Sequence, residues 1–338
     1  MAKKSIILSY SNIHYYNNFA YFCYRKTKVM YFFEPSHIYY KNFIDDYDYI
    51  SASGVIKLLK QKYDSLYWSK YKAYEFYFYK KHINPDIHID EYLDTKPIEA
   101  KKYFKNYTRG YVKLDHKLFQ HLRMYGDENK VDKIQKYILE SWKKLNLLSL
   151  DKGHDYHDKR EQKALSVEFC KNPFTDNIIP IIVNNEWIST TTKRRIVNLE
   201  KLEPGFYPEF IINYDCFCGQ ADKVWFELLD DGRMGFWIDD YKTNIKLDFN
   251  NPYDMMLYPV NHLEDCNWNH YRIQLSFYIW ILEQYGYVYM GSKITHCIQN
   301  NDNPDKWQKI SYPFKYLKYE IENVVNYIKE NSLHKSVI

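Results

Sequence analysis

The sequence predicts an α/β fold: a mixed central sheet flanked by helices over residues 151–338, behind a mostly helical region over residues 1–150. Two observations carry this. The runs FYPEFIINYD, GQADKVWFELL and RMGFWIDDYKT follow one another through residues 206–243, parted only by Gly- and Asp-bearing turns, the pattern of strands paired with their sequence neighbours. Next, WNHYRIQLSFYIWILEQYG is an apolar run of helical length closed by Gly286, and VYMGSKITHCIQN reads as a further strand. Helix, three strands, helix, strand is the order of a two-layer α/β core.

The remaining elements follow from local pattern. Residues 1–48 are rich in aromatics and Asn, with short runs such as KVMYFF that suggest strands. From Ser51 the stretch SGVIKLLKQKYDSLYWSKYKAYEFYFYKK is helical: Val55, Leu58, Leu59, Leu66 and Tyr67 form its apolar face, and Ser51 or Ser53 caps it. Residues 83–107 carry Pro and Asp before turning helical, and VDKIQKYILESWKKLNLL at 131–148 is amphipathic. KGHDYHDKREQKALSVEF predicts a helix from His154 to Glu168, IIPIIV and EWISTTTKRRIV read as short strands or a strand and a loop, and YEIENVVNYIKEN is a last helix.

Composition bounds the function. With 46% hydrophobic and 27% charged residues the chain folds, and disorder is excluded. A net charge of +4 neither demands nor excludes nucleic acid. The 37 tyrosines fit an AT-rich coding sequence, which leaves room for some that stack on bases. Six cysteines form no C-x-x-C pair, so thiols in a reducing compartment are expected; Cys216 and Cys218 alone make a weak metal claim. No run reaches membrane-spanning length and the N-terminus has no signal pattern, so a cytoplasmic protein is expected.

The chemistry gathers in one hairpin. Asp240 and Lys242 lie two apart and share a face at the end of a strand. Alone they make a strand-end salt bridge. If residues 223–229 pair with 232–238 through the DDG turn, Asp222 falls beside Asp240. Two carboxylates that close repel, and a divalent cation is the simplest neutraliser, with oxygen ligands that suit Mg²⁺ or Mn²⁺. Asp239 points away by alternation. Glu209, on the preceding strand, is either solvated or holds a metal-bound water or second ion. His157 and Glu161, four apart, share a helix face as a simple pair or as part of the centre; His154 with His157 as a zinc pair lacks partners of matching spacing. Gln274 and Tyr278, also four apart in an apolar helix, bond to each other or to a phosphate. Lys193, Arg194 and Arg195 in TTTKRR, and KREQK at 159–163, are phosphate contacts or solvated faces. Tyr63, Tyr67, Trp68, Tyr71 and Tyr74 among lysines either guide a DNA strand or pack.

Taken in order, these residues resemble the RecB-like branch of the PD-(D/E)XK nuclease superfamily, nearest to its phage-type and mitochondrial-maintenance-type DNA exonucleases. Gly153, His157 and Glu161 match the branch's helix motif, Glu209 its strand glutamate, and Gly219 with Asp222 its Gly-x-x-Asp motif. Asp240, Tyr241, Lys242 and Thr243 match its Asp-Tyr-Lys-Thr, and Gln274 with Tyr278 its Gln-x-x-x-Tyr. The similarity covers residues 151–325. His154 stands where the branch usually has a small residue, and its iron–sulfur cysteines are absent. The resemblance implies a restriction-endonuclease-like core and a Mg²⁺-dependent deoxyribonuclease, with Mn²⁺ able to substitute. His157, Asp222, Asp240 and the carbonyl of Tyr241 would ligate metal, and Glu209, Asp222, Asp240 and Lys242 would carry the chemistry. Lys242 would stabilise charge and position groups, or orient or deprotonate water. Glu161, Gln274 and Tyr278 would hold DNA that has a free end and is single-stranded in part. An exonuclease is favoured over a flap endonuclease or nickase with the same centre, and over a non-catalytic DNA-binding protein. The compositional bias suggests a bacteriophage source, hence host cytoplasm and replication or recombination proteins as partners.

Overall fold

Strand pairing in the computed structural model of the protein is dominated by one six-stranded sheet. The structure describes residues 49–95, 126–183, 199–300, 303 and 306–333, together with the backbone of several short strands outside those ranges. These are β1 (Ile6–Ile7), β2 (Ile13–Tyr16), β3 (Phe19–Phe22), β4 (Met30–Phe33) and β5 (Ile38–Tyr40). In the region expected to be mostly helical over 1–150, helices begin at residue 52, and the strands suggested by the short runs before it include β4, from KVMYFF.

β6 (Ile50–Ser51) leads into α1 (Ala52–Leu59), whose cap is Ser51, its Oγ accepting from Gly54 N at 3.1 Å. The single helix expected over 53–81 is two. The chain breaks after Leu59 and restarts at α2 (Ser65–His82), because Asp64 accepts from Tyr67 N at 2.9 Å and caps a new helix. α3 (Ile89–Thr95) follows. The helices expected at 131–148 and 154–168 are one, α4 (Glu128–Leu165), since 149–153 holds no proline and a lone Gly153 costs a helix only about 1 kcal/mol.

The chain divides into two units, residues 1–61 with 153–338 and residues 62–152. A single boundary at 150 is thus replaced by two, the second inside α4. In the smaller unit Ala73, Tyr74 and Phe78 of α2 pack with Val131 and Ile138 of α4. Tyr74 is fully buried and its hydroxyl donates to Glu128, so it packs; Tyr63 and Trp68 are exposed.

The larger unit continues through β7 (Phe169–Lys171), β8 (Ile178–Pro180) and β9 (Arg194–Val197) to the main strands. These are β10 (Gly205–Tyr214), β11 (Phe217–Leu228) and β12 (Met234–Lys242), then α5 (Asn267–Glu283), β13 (Val288–Gln299), β14 (Trp307–Pro313) and α6 (Lys318–Glu330). The order is β10-β11-β12-β13-β14, with β6 beside the start of β11. β10, β11 and β12 run antiparallel as their short turns require, and the DDG turn is only a connection, closed by Leu229 N donating to Arg233 O at 2.8 Å around Gly232 at φ +80. β12 and β13 are parallel, joined by the α5 crossover. The half-exposed edge strand β14 went unread because its alternation is weak. Val55, Leu59, Phe217, Phe226, Phe277, Ile281, Val324 and Ile328 belong to one apolar core shared by α1, the sheet, α5 and α6. Phe206, Trp225 and Trp237 form a second with Ala164 of α4. No helix among the described residues is long and apolar enough to cross a membrane.

One close approach ties β11 to α5. A Cβ built on Gly219 would lie 2.2 Å from Cε1 of the buried Tyr278 ring. Gly219→Ala is expected to lower stability by about 1–3 kcal/mol through overpacking, read as a lower urea midpoint with an unchanged slope. A wild-type midpoint would show that the ring moves aside freely.

Candidate metal centre

Strand register builds the centre. β10 and β11 pair as Pro208↔Lys223 and Phe210↔Ala221, which sets Glu209 across from Asp222. β11 and β12 pair down to Lys223↔Asp239, which sets Asp222 across from Asp240. Three carboxylates thus occupy one row on three adjacent strands, and all three are buried. Like charges directly opposite one another destabilise a sheet, and the ladders give way here. Glu209 takes a left-handed φ of +45, unusual for a non-glycine residue. Beyond Lys223↔Asp239 the β11–β12 ladder stops, and the Asp222 side chain replaces it, its Oδ2 accepting from Tyr241 N at 2.5 Å.

Helix α4 brings His157 to this row. Its Nδ1 lies 3.3 Å from Glu209 Oε1 and 3.4 Å from Asp222 Oδ1. His157, Glu209 and Asp222 each offer a ligand atom, all within 4.8 Å of one another. This imidazole and two carboxylates form a cluster able to coordinate a divalent cation, the donor set of a metal-dependent active site in general. The Glu209 carboxylate is held from behind by Gln220 Nε2 at 2.8 Å.

Asp240 stands beside that cluster rather than in it. Its Oδ2 pairs with the Lys242 ammonium and has no other polar partner among the described residues. Of the expected ligands His157, Asp222, Asp240 and the Tyr241 carbonyl, His157 and Asp222 fall in this cluster, together with Glu209, which was expected to carry chemistry. Helix α5 completes the other side. Lys242 Nζ donates to Gln274 Oε1 at 3.1 Å and sits 4.7 Å above the Tyr271 ring, while Gln274 Nε2 donates to Tyr278 Oη at 3.0 Å. Gln274 and Tyr278 therefore bond to each other and to Lys242. Asp239 turns away, as alternation requires, paired with Lys223 and accepting from Thr295 Oγ1 at 2.8 Å.

A cleft of about 270 Å³ opens onto Glu209, Asp222, Lys223 and Tyr241 and is walled by Arg160, Glu161 and Lys163 of α4. Glu161 thus lies at the centre, where its charge bears on Glu209. Arg194 and Arg195 fall on β9, paired with β4; their side chains, and all of Lys193, lie outside the described residues. Sequence reasoning missed Gln220 and Tyr271. The second is visible in principle, one turn before Gln274 on the same helix face.

Charge regulation follows from crowding. Burial, then Asp222, push Glu209 up to about 7, and burial, then Asp222, push Asp240 up to about 6. Burial would raise Asp222 too, but His157 and Lys242 hold it below the usual carboxylate range. Burial disfavours charge on His157 and Lys242, yet the carboxylates prevail, taking His157 up to about 11 and Lys242 above its ordinary value.

Comparison with known proteins finds no matching family model, no similar curated protein and no similar solved structure.

The signs give a test. Glu209 and Asp240 bind protons more tightly folded than unfolded, so their ionisation costs the metal-free protein stability as pH rises from about 4 through about 7. A bound cation relieves that cost. The rise in melting temperature on adding Mg²⁺ or Mn²⁺ is expected to grow from pH 5 to pH 7.5 in scanning calorimetry. Glu209→Gln is expected to abolish the growth, and a pH-independent rise would refute the assignment.

Proposed function

We propose that the protein is a Mg²⁺-dependent deoxyribonuclease that hydrolyses DNA phosphodiester bonds, acting as an exonuclease in replication or recombination in a cytoplasmic compartment. The observation that supports this most is the buried row Glu209, Asp222 and Asp240 between one imidazole and one ammonium. Three neighbouring acids weaken a sheet, so their retention speaks for a ligand. The match of these residues, in order, to the RecB-like nuclease motifs supplies the reaction class.

His157, Glu209 and Asp222 would hold the ion, and Asp240, paired with Lys242 alone, stands beside them as a further carboxylate. When bound, the ion supplies Lewis-acid polarisation of a phosphate oxygen and a lowered pKa for water. Lys242 works as a cation rather than a base, since Asp240 and Asp222 keep its proton on Nζ. Its remaining N–H groups offset charge on a non-bridging phosphate oxygen. Gln274, fixed by Tyr278, sets the direction of that ammonium. Glu209, tethered by Gln220, is placed to orient a water and accept its proton.

Linear single- and double-stranded DNA is expected to be degraded in Mg²⁺, with covalently closed circles resistant. Lys242→Ala and Asp240→Asn are each expected to lower turnover about 10²–10³-fold without loss of fold by circular dichroism. Efficient cutting of closed circles would replace the exonuclease with an endonuclease, and full activity in either variant would remove these residues from the chemistry.

A further inference from the structure

A second row of charge crosses the sheet next to the carboxylates. Register places Lys223 beside Asp239 and Asp239 beside Lys293, on β11, β12 and β13. Tyr241 lies two residues past Asp239, hence on the same face. The Lys223 ammonium sits 3.6 Å from the Tyr241 ring centroid, and that of Lys309, from β14, sits 5.2 Å from it. Arg160 of α4 lies 5.0 Å from the Tyr156 ring, which meets Tyr241 edge-on at 5.3 Å. Lys293 rests 4.5 Å from the Phe174 ring.

Three lysines from three strands therefore bear on one carboxylate, Asp239, and Arg160 of α4 bears on the neighbouring Tyr241. Lys223 alone is paired with that carboxylate. Arg160, Lys293 and Lys309 have no carboxylate within ion-pair distance among the described residues. Desolvation, the first cause in each case, holds Lys293 and Lys309 below their ordinary values against the pull of Asp239, with Lys223 adding to it at both and Arg160 at Lys309. Aromatic faces alone offset little of such a cost. The cleft that holds Glu209 and Asp222 is also lined by Arg160, Lys223 and Tyr241, so this basic face is continuous with the metal centre.

We propose that Arg160, Lys293 and Lys309, arranged around Lys223 and Tyr241, form a phosphate-binding track for the backbone of a single DNA strand whose neighbouring phosphodiester lies at the metal centre. As to the scissile neighbour it rests on the nuclease reading; as to binding it stands alone. Lys309 and Arg160 meet the backbone first, and Lys293 lies deeper along the β12–β13 face. The aromatic rings position the cations without specifying bases, so the track is indifferent to sequence.

The test is equilibrium binding of a fluorescent oligothymidylate to the full chain in EDTA, by anisotropy over a salt series. Arg160→Gln, Lys293→Gln and Lys309→Gln are each expected to weaken binding about 3- to 10-fold and to reduce the salt slope by about 0.7 per lost contact. Lys201→Gln, exposed between Leu199 and Leu202 of the core shared with α5, is the control and is expected to bind as wild type. Lys309→Glu, which reverses the charge at the same position, is expected to weaken binding further. Wild-type affinity and slope in all three glutamine variants would overturn the track, even if the protein cleaves DNA. Weakened binding by a protein that never cleaves DNA would uphold the track and reject the nuclease. Equal weakening by Lys201→Gln would reduce the effect to net charge and also overturn it.

Discussion

The mutual repulsion of Glu209, Asp222 and Asp240 is the constraint around which the larger unit is arranged. Each lies on a different strand, and the registers bring them into one row. A buried row of three negative charges is untenable unless something answers it. His157 answers from α4 and Lys242 from the end of β12, and the backbone itself adjusts, through the left-handed turn at Glu209 and the arrest of the β11–β12 ladder. Placing the acids where strands diverge keeps their ligand atoms open to a cleft.

A chain of contacts carries this arrangement into the core. Gly219 leaves room for the Tyr278 ring, Tyr278 accepts from Gln274, Gln274 accepts from Lys242, and Lys242 pairs with Asp240. Residues far apart in sequence thus act as one unit, and α5, buried along most of its length, is its rigid mount. On the opposite side of the row, Lys223 and Asp239 make a separate buried pair, so positive and negative rows alternate along the strands.

Much of the sheet was legible in the sequence, for reasons visible in particular residues. The DDG turn and the flanking apolar runs fixed the β11–β12 pairing, and with it the approach of Asp222 to Asp240. The i, i+4 spacing of Gln274 and Tyr278 gave their bond. Element boundaries were less legible. Asp64 ends one helix pattern by capping the next, a choice between local alternatives of similar free energy. Gly153 looks like a breaker, yet the helix continues through it. Glu209 reads as a strand start, either solvated or holding a metal-bound water or second ion, and lies buried in mid-strand.

By itself the sequence determined the order of the strands β10 to β13 with α5 between the last two, the alternation that separates Asp239 from Asp240, and the set of titratable residues available to a site. These depend on propensities and periodicities of a few residues, which are local. Only the tertiary structure decided that Glu209 lies within reach of His157 and Asp222, that Lys242 is clamped between Asp240 and Gln274, and that Lys293 and Lys309 converge on Tyr241's side of the sheet. Those outcomes depend on backbone kinks, on strand crossovers and on which buried charge finds a partner, and such balances exist only once distant segments are packed together.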